Sequence, residues 1–349
     1  MRNTKRLQAT VGSLWLLAVA FFVLGCQPPP QATELGGPTM GTFWSVKYLS
    51  GQATPEQNQL QVLFEDALKD INQQMSTYLD DSFISQFNRA ATGTTTAVPD
   101  DFARVLEASL RIAEASEGAF DPTIGPLVNL WGFGPDGRAT EPPSDAAIEA
   151  ALARVGWDRL PYEAESAQLT QPGGMYLDFS AIAKGFAVDR LAELAQQQGI
   201  EDVLVNIGGD MLAVGQRPDG TDWRVGIERP EVDAGSDTAM RPTPVRVSQA
   251  AVVTSGNYRN FFQSGGVVYS HTINAGNGRP VPNELVSVSV IHESAMMADG
   301  YATAIMSMGA DQGLAFADKE NLAVYMLIAD GSTLGERFND AFKPYLERN

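Results

Sequence analysis

The stretch "ADGYATAIMSMG", Ala298 to Gly309, reads as an apolar helix that ends on a glycine and carries Asp299 and Thr303 near its start. Side chains at i and i+4 project from one helix face, so this spacing presents a carboxylate and a hydroxyl to a single point, as a hard cation requires. The same spacing suits a structural role, with a carboxylate favoured by the helix dipole and a threonine bonded to its own backbone. An all-oxygen pair selects Mg²⁺ or Ca²⁺ over zinc. Mg²⁺ leaves most of its shell to water, carbonyls and phosphates, so two side-chain oxygens suffice when the substrate brings phosphate.

The chain has two histidines. His271, in "SHTINAGNGRP", closes a strand ahead of a glycine-rich turn. It is a candidate general base, because imidazole titrates near neutral pH, or a structural residue. His292 lies between a strand and a helix, has no evident partner and reads as a surface residue without function. "NIGGD", Asn206 to Asp210, leaves a strand on two glycines, which permits either close approach of backbone N–H groups to a ligand or simply a tight turn. It lacks the third glycine and following helix of a dinucleotide fingerprint. Zinc and thiol chemistry are set aside, since there is no His/Cys cluster and the one cysteine, Cys26, belongs to the N-terminal segment. No GxSxG elbow marks a serine hydrolase.

The elements that must position these residues follow from periodicity. A first strand is predicted at "MGTFWSVKYL" from Met40, then a helix carrying Leu60, Phe64, Leu68, Ile71 and Met75 that stops near "MSTYLDD". A second helix runs from Asp100 to Ser116, and Ser144 caps a third that continues to about Arg154. Between them "GAFDPTIGPLVNLWGFGPDG" mixes glycine and proline with Phe120, Trp131 and Phe133, either a packed cap or a ligand shelf. "GGMYLDFSAIAKGFAVDRLAELAQQQG" predicts a strand, a turn and a long helix ending at Gly199. Strands follow at "EDVLVNIGGD", "WRVGI", "PVRVSQAAVVTS", "GVVYSHTI", "LVSVSVI" and "LAVYMLIA", with the Asp299 helix over 297–308. Strands after residue 200 lack regular helical crossovers, which makes the fold class mixed α+β with largely antiparallel sheets and packed helices. Residues 229–244 read as an exposed polar insertion.

With 349 residues, 44% of them hydrophobic, the chain can bury a large core, and its net charge of −18 disfavours nucleic acid as a partner. Arg2, Lys5 and Arg6 precede the apolar run "LWLLAVAFFVL", which is too short to span a membrane and reads as a signal peptide over residues 1–25. "VLGCQ" resembles the lipobox of bacterial lipoproteins, with Cys26 lipidated after cleavage. The expectation is an exported domain tethered by lipid to a membrane and facing the periplasm, with Gln27 pointing to the outer one. Residues 26–38 read as a Pro/Gly spacer and 39–349 as the folded domain.

In order along the chain, "MGTFWSV", "MSTYLDDSFISQFN", "GAFDPTIGPLVNLWGFG", "LDFSAIAKGFAVDRLA", "NIGGD", "VTSGNYRNFF", "YSHTINAGNGRPV" and "MMADGYATAIMSMG" resemble the ApbE family, the FAD:protein FMN transferases. The resemblance implies a fold related to the T-fold and an exported, Mg²⁺-dependent enzyme. Such an enzyme splits FAD and links FMN through a phosphoester to a Thr or Ser hydroxyl of an acceptor protein, releasing AMP. The acceptors it suggests are subunits of membrane redox complexes. By the same resemblance Met40, Tyr78, Ala119, Phe120, Asp121, Asp178, Lys184 and Ile273 contact FAD. The Ala181 carbonyl joins Asp299 and Thr303 on the metal, and His271 is a possible base. Asn274 stands where relatives carry an acidic residue. Two alternatives share these residues: a metal-dependent FAD pyrophosphatase yielding FMN and AMP, and a lipoprotein that binds FAD without turnover.

Overall fold

The computed structural model describes residues 32–51, 54–230, 242–258, 260–282, 284–331 and 333–347. Cys26, the signal-peptide stretch and most of the 229–244 segment lie outside these residues.

Eight strands form the central sheet: β1 (Ala32–Thr39), β2 (Thr42–Leu49), β3 (Val203–Ile207), β4 (Asp210–Val214), β5 (Ala250–Gly256), β6 (Leu285–His292), β7 (Ala323–Asp330) and β8 (Thr333–Phe338). Each lies beside its neighbours in this series, and each pairing is antiparallel. The sheet is therefore a meander whose connections have been expanded. The β2–β3 connection carries α1 (Gln57–Met75), α2 (Phe83–Arg89), α3 (Asp100–Ala115), α4 (Gly125–Leu130), α5 (Asp145–Leu152) and α6 (Ala183–Gln197). The β6–β7 connection carries α7 (Ala295–Met308) and α8 (Ala310–Lys319).

Alternation along the strands divides the core in two. Val203, Val205 and Ile207 of β3, with Ala251 and Val253 of β5, pack on the helical layer, while Val252, Tyr325 and Leu327 face the opposite side. There a hairpin, Trp223–Ile227 with Thr243–Val247, and Phe342 cover them. Burial on both faces is why β5 and β7 read as unbroken apolar runs. A smaller cluster of Leu127, Trp131, Ile148 and Ile273 lies under the aromatic loop, pinned by the Trp131 indole N–H donating to the Gly278 carbonyl at 2.8 Å.

Three local readings change. The spacer reading ends at residue 31, because Ala32–Thr39 is strand β1, joined to β2 by a turn at Met40 and Gly41. As an edge strand containing Gly36, Gly37 and Pro38 it has no apolar alternation to reveal it. "MYLDF" forms no strand beyond a single bridge at Tyr176, since Leu177 N–H goes to Asn88 Oδ1 and Asp178 N–H to the Pro122 carbonyl. "PVRVSQAAVVTS" is two strands that break at Gln249, whose φ is 53°.

Helix α7 is buried on nearly every side, with Ala298, Ala302, Ile305 and Met306 in the core. It meets α6 at Gly185, where a Cβ would stand 2.2 Å from the Ala295 carbonyl oxygen. Gly185→Ala should therefore cost about 1–3 kcal/mol through overpacking, despite alanine's helix propensity advantage of about 1 kcal/mol. A denaturant midpoint at or above that of the unaltered protein would reject this close-approach argument.

Candidate active site

Helices α6 and α7 are fastened to one another by two carboxylates. Asp189 of α6 accepts from Ser294 Oγ at 2.6 Å, Ala295 N–H at 2.7 Å and Met296 N–H at 3.0 Å, which satisfies the start of α7. In return Asp299 of α7 accepts from Gly185 N–H at 3.0 Å, in the first turn of α6. Each helix caps the other. Burial pushes the Asp189 carboxyl up, and its three donors work against that rise.

Beside this crossing lies a cavity of about 640 Å³. Asp178 and Ala181 border it from the turn entering α6, Lys184 from the first turn of α6, and Asp299 and Thr303 from α7. Asp299 is 3% exposed. Its Oδ2 is held by Gly185, and its other oxygen accepts no hydrogen bond from a described residue. Burial pushes its carboxyl up to about 6, against the pull of the Lys184 charge. Thr303 Oγ1 lies 3.3 Å from Ser255 Oγ on β5, so its hydroxyl reaches across to the sheet instead of back to its own helix. Lys184 forms an ion pair with Asp210, a buried carboxylate at the start of β4 whose Oδ1 also receives Thr254 N–H. Two buried carboxylates thus face one ammonium. The remaining negative charge and the all-oxygen donors, with a carbonyl at Ala181, fit a hard divalent cation.

His271 borders the same cavity. Its Nδ1 lies 3.1 Å from the Asn260 carbonyl, which can only accept, so Nδ1 carries the proton and Nε2 keeps its lone pair. Burial lowers its pKa, and the Lys184 charge lowers it further. Phe133 stands edge-on to the imidazole, and Tyr78 OH donates to the Phe133 carbonyl at 3.2 Å, giving the cavity an aromatic wall.

Of the residues expected at the site, Tyr78, Asp178, Ala181, Lys184, His271, Asp299 and Thr303 line this one cavity. The others do not line it. Met40 packs beside the core in the β1–β2 turn, and Ile273 is buried under the aromatic loop. Phe120 is buried. Asp121 spends its oxygens on Thr123 N–H, Thr123 Oγ1 and Trp157 N–H. Ala119 borders a separate depression of about 480 Å³, as does Asn274. Asn274 Oδ1 accepts from Gly276 and Asn277 N–H, work a carboxylate could also do, and its Nδ2 donates to the Ser307 carbonyl at 3.3 Å. Gly208 and Gly209 line the cavity, but their N–H groups are taken by the Phe43 carbonyl and Asn206 Oδ1, so the tight-turn reading holds. His292 is half-buried, not on the surface, because its Nδ1 accepts Ser294 N–H at the entry to α7.

A dinucleotide-sized pocket that brings together an aromatic wall, buried oxygen donors and a histidine is suited to phosphoryl transfer. The chain belongs to the ApbE family, whose model matches residues 40–326. It is 39% identical to the FAD:protein FMN transferase of Vibrio cholerae, over 96% of this chain and 99% of that one. It is 35% identical to that of Escherichia coli K12, covering 95% and 96%. Among solved structures, the flavin transferase ApbE from Vibrio cholerae superposes with a TM-score of 0.83 at 38% identity, covering 91% of this chain and all of that one. The Pseudomonas stutzeri flavinyl transferase ApbE in its apo form gives 0.84 at 34%, covering 92% and 98%.

Sequence reasoning missed Asp189, Asp210 and Asn260. Only Asp210 carried a signal, as the carboxylate following a glycine pair. Asp189→Ala strips three hydrogen bonds from the start of α7 and should destabilise the protein by about 2 kcal/mol, with Asp189→Asn recovering part of the loss. Urea denaturation measures both, and an unshifted midpoint for the alanine variant counts against the clamp.

Proposed function

We propose that this chain is an FAD:protein FMN transferase that breaks the pyrophosphate of FAD and joins FMN to a threonine or serine hydroxyl of an acceptor protein, releasing AMP. The observation that carries this reading is the convergence of Asp299, Thr303, Ala181 and Lys184 on one cavity that also contains His271. Asp299, Thr303 and the Ala181 carbonyl would hold Mg²⁺, and Tyr78 and Phe133 offer flat surface to the flavin. Lys184, paired with Asp210, and the cation would together offset the phosphate charge. A cation held by these residues would supply Lewis-acid stabilisation of the pyrophosphate and of the departing AMP.

The acceptor oxygen attacks the FMN phosphorus as the bond from that phosphorus to the AMP oxygen breaks. His271 Nε2 takes the hydroxyl proton, and the Asn260 carbonyl keeps the imidazole in the tautomer able to do so. Membrane redox subunits with an acceptor threonine are the partners this reading favours. Export and lipidation at Cys26 belong to the same proposal. With β1 starting at Ala32, the residues between span at most about 20 Å, which keeps the domain close to the membrane.

The unaltered protein with FAD, Mg²⁺ and the soluble domain of such a subunit should yield an FMN adduct by intact mass, together with AMP. Neither product forming would reject the transferase. His271→Ala should slow transfer by roughly 10²–10⁴-fold with FAD binding retained. Because the His271 pKa is lowered, its base form persists on acidification, and the acid limb of the rate profile should fall below about 6.5. A limb centred above that value would remove His271 as the base. Mg²⁺ binding should weaken as pH falls through about 6, where Asp299 takes up a proton, and Asp299→Asn should abolish both the binding and its pH dependence. Calorimetric titration from pH 5 to 8 checks this.

A further inference from the structure

Phe261–Ser264 and Val267–Ser270 form a two-stranded hairpin outside the central sheet, turned by Gly265 and Gly266, and the chain runs directly from it into His271. Its inner face is anchored: Phe262 and Tyr269 stack at 5.0 Å, and Phe262 packs on Trp131 and Phe133. On the other face Phe261 is 50% exposed. In a chain that is 19% charged, residues 260–270 contain no Asp, Glu, Lys or Arg and no proline. Exposed strands normally carry such residues to prevent pairing, and a bare edge is kept where a strand is to be added.

The register identifies that edge. His271 N–H donates to the Asn260 carbonyl, so the alternating ladder bonds fall at Phe262 with Tyr269 and Ser264 with Val267. The N–H and C=O groups of Phe261 and Gln263 therefore point away from the hairpin, and no described strand pairs with them.

We propose that the acceptor polypeptide docks as an added strand along the outer edge of Phe261–Ser264, its apolar side chains on Phe261, and passes Asn260 to bring its hydroxyl residue to His271. This rests on the transferase reading, because a protein substrate must reach the cavity mouth in extended form. The occupant is the acceptor's own extended segment, with its threonine or serine at the end that crosses the mouth.

Two variants test it in the full-length protein with FAD and Mg²⁺, using as probe the soluble domain of a redox subunit that the unaltered protein flavinylates. Gln263→Pro removes an outward N–H and leaves the ladder intact, and Phe261→Asp places a charge on the edge. Both should raise KM for the acceptor domain by roughly tenfold or more, with FAD affinity and melting temperature unchanged. Flavinylation with unaltered KM in both variants overturns the docking alone. So does an edge whose loss abolishes only self-association or only binding to phosphatidylglycerol vesicles. No flavinylation by the unaltered protein overturns the transferase reading, and this proposal with it.

Discussion

Everything at the site depends on how α6 and α7 are locked at their crossing. Asp189 on one helix and Asp299 on the other each satisfy backbone donors that a helix start leaves without partners, and Gly185 allows the two backbones to meet. The lock fixes Asp299 and Thr303 relative to Ala181 and Lys184 without any flexible loop between them. One carboxylate is thereby both a structural cap, for a helix other than its own, and a cavity wall.

The meander explains why such a crossing is possible. Successive strands lie side by side, so the long β2–β3 connection and the shorter β6–β7 connection both return to the same face and deliver α6 and α7 as neighbours. The opposite face is covered by the Trp223–Ile227 hairpin and Phe342, and the end of that hairpin, Gly226 to Glu228, borders the same cavity as the helices. Lys184 and Asp210 then link the helix layer to the sheet at the cavity floor.

Where local pattern determines the outcome, the sequence was legible. The stripes of α1 and α3, the caps at Ser144 and the two-face burial of β5 and β7 follow from residue spacing, and Asp299 and Thr303 do share a face. What stayed hidden depends on partners far away in the chain. Asp189 looks like any helix carboxylate until Ser294, over a hundred positions on, is brought beside it. β1 is held by pairing with β2 and not by an apolar face, and "MYLDF" has a strand's composition but finds loop partners for its backbone. The family blocks supplied roles that spacing could not, yet Ala119, Phe120, Asp121, Met40 and Ile273 lie beyond the cavity lining.

The burial of α7 has a further consequence. A helix packed on nearly all sides and fastened at its start cannot shift to suit what binds against it. The separation of its carboxylate and hydroxyl oxygens is therefore a fixed gauge. For the proposed cation, ligand distances near 2.1 Å and near 2.4 Å would not be interchangeable across such a gauge, so the choice between alkaline-earth ions would fall to ionic radius.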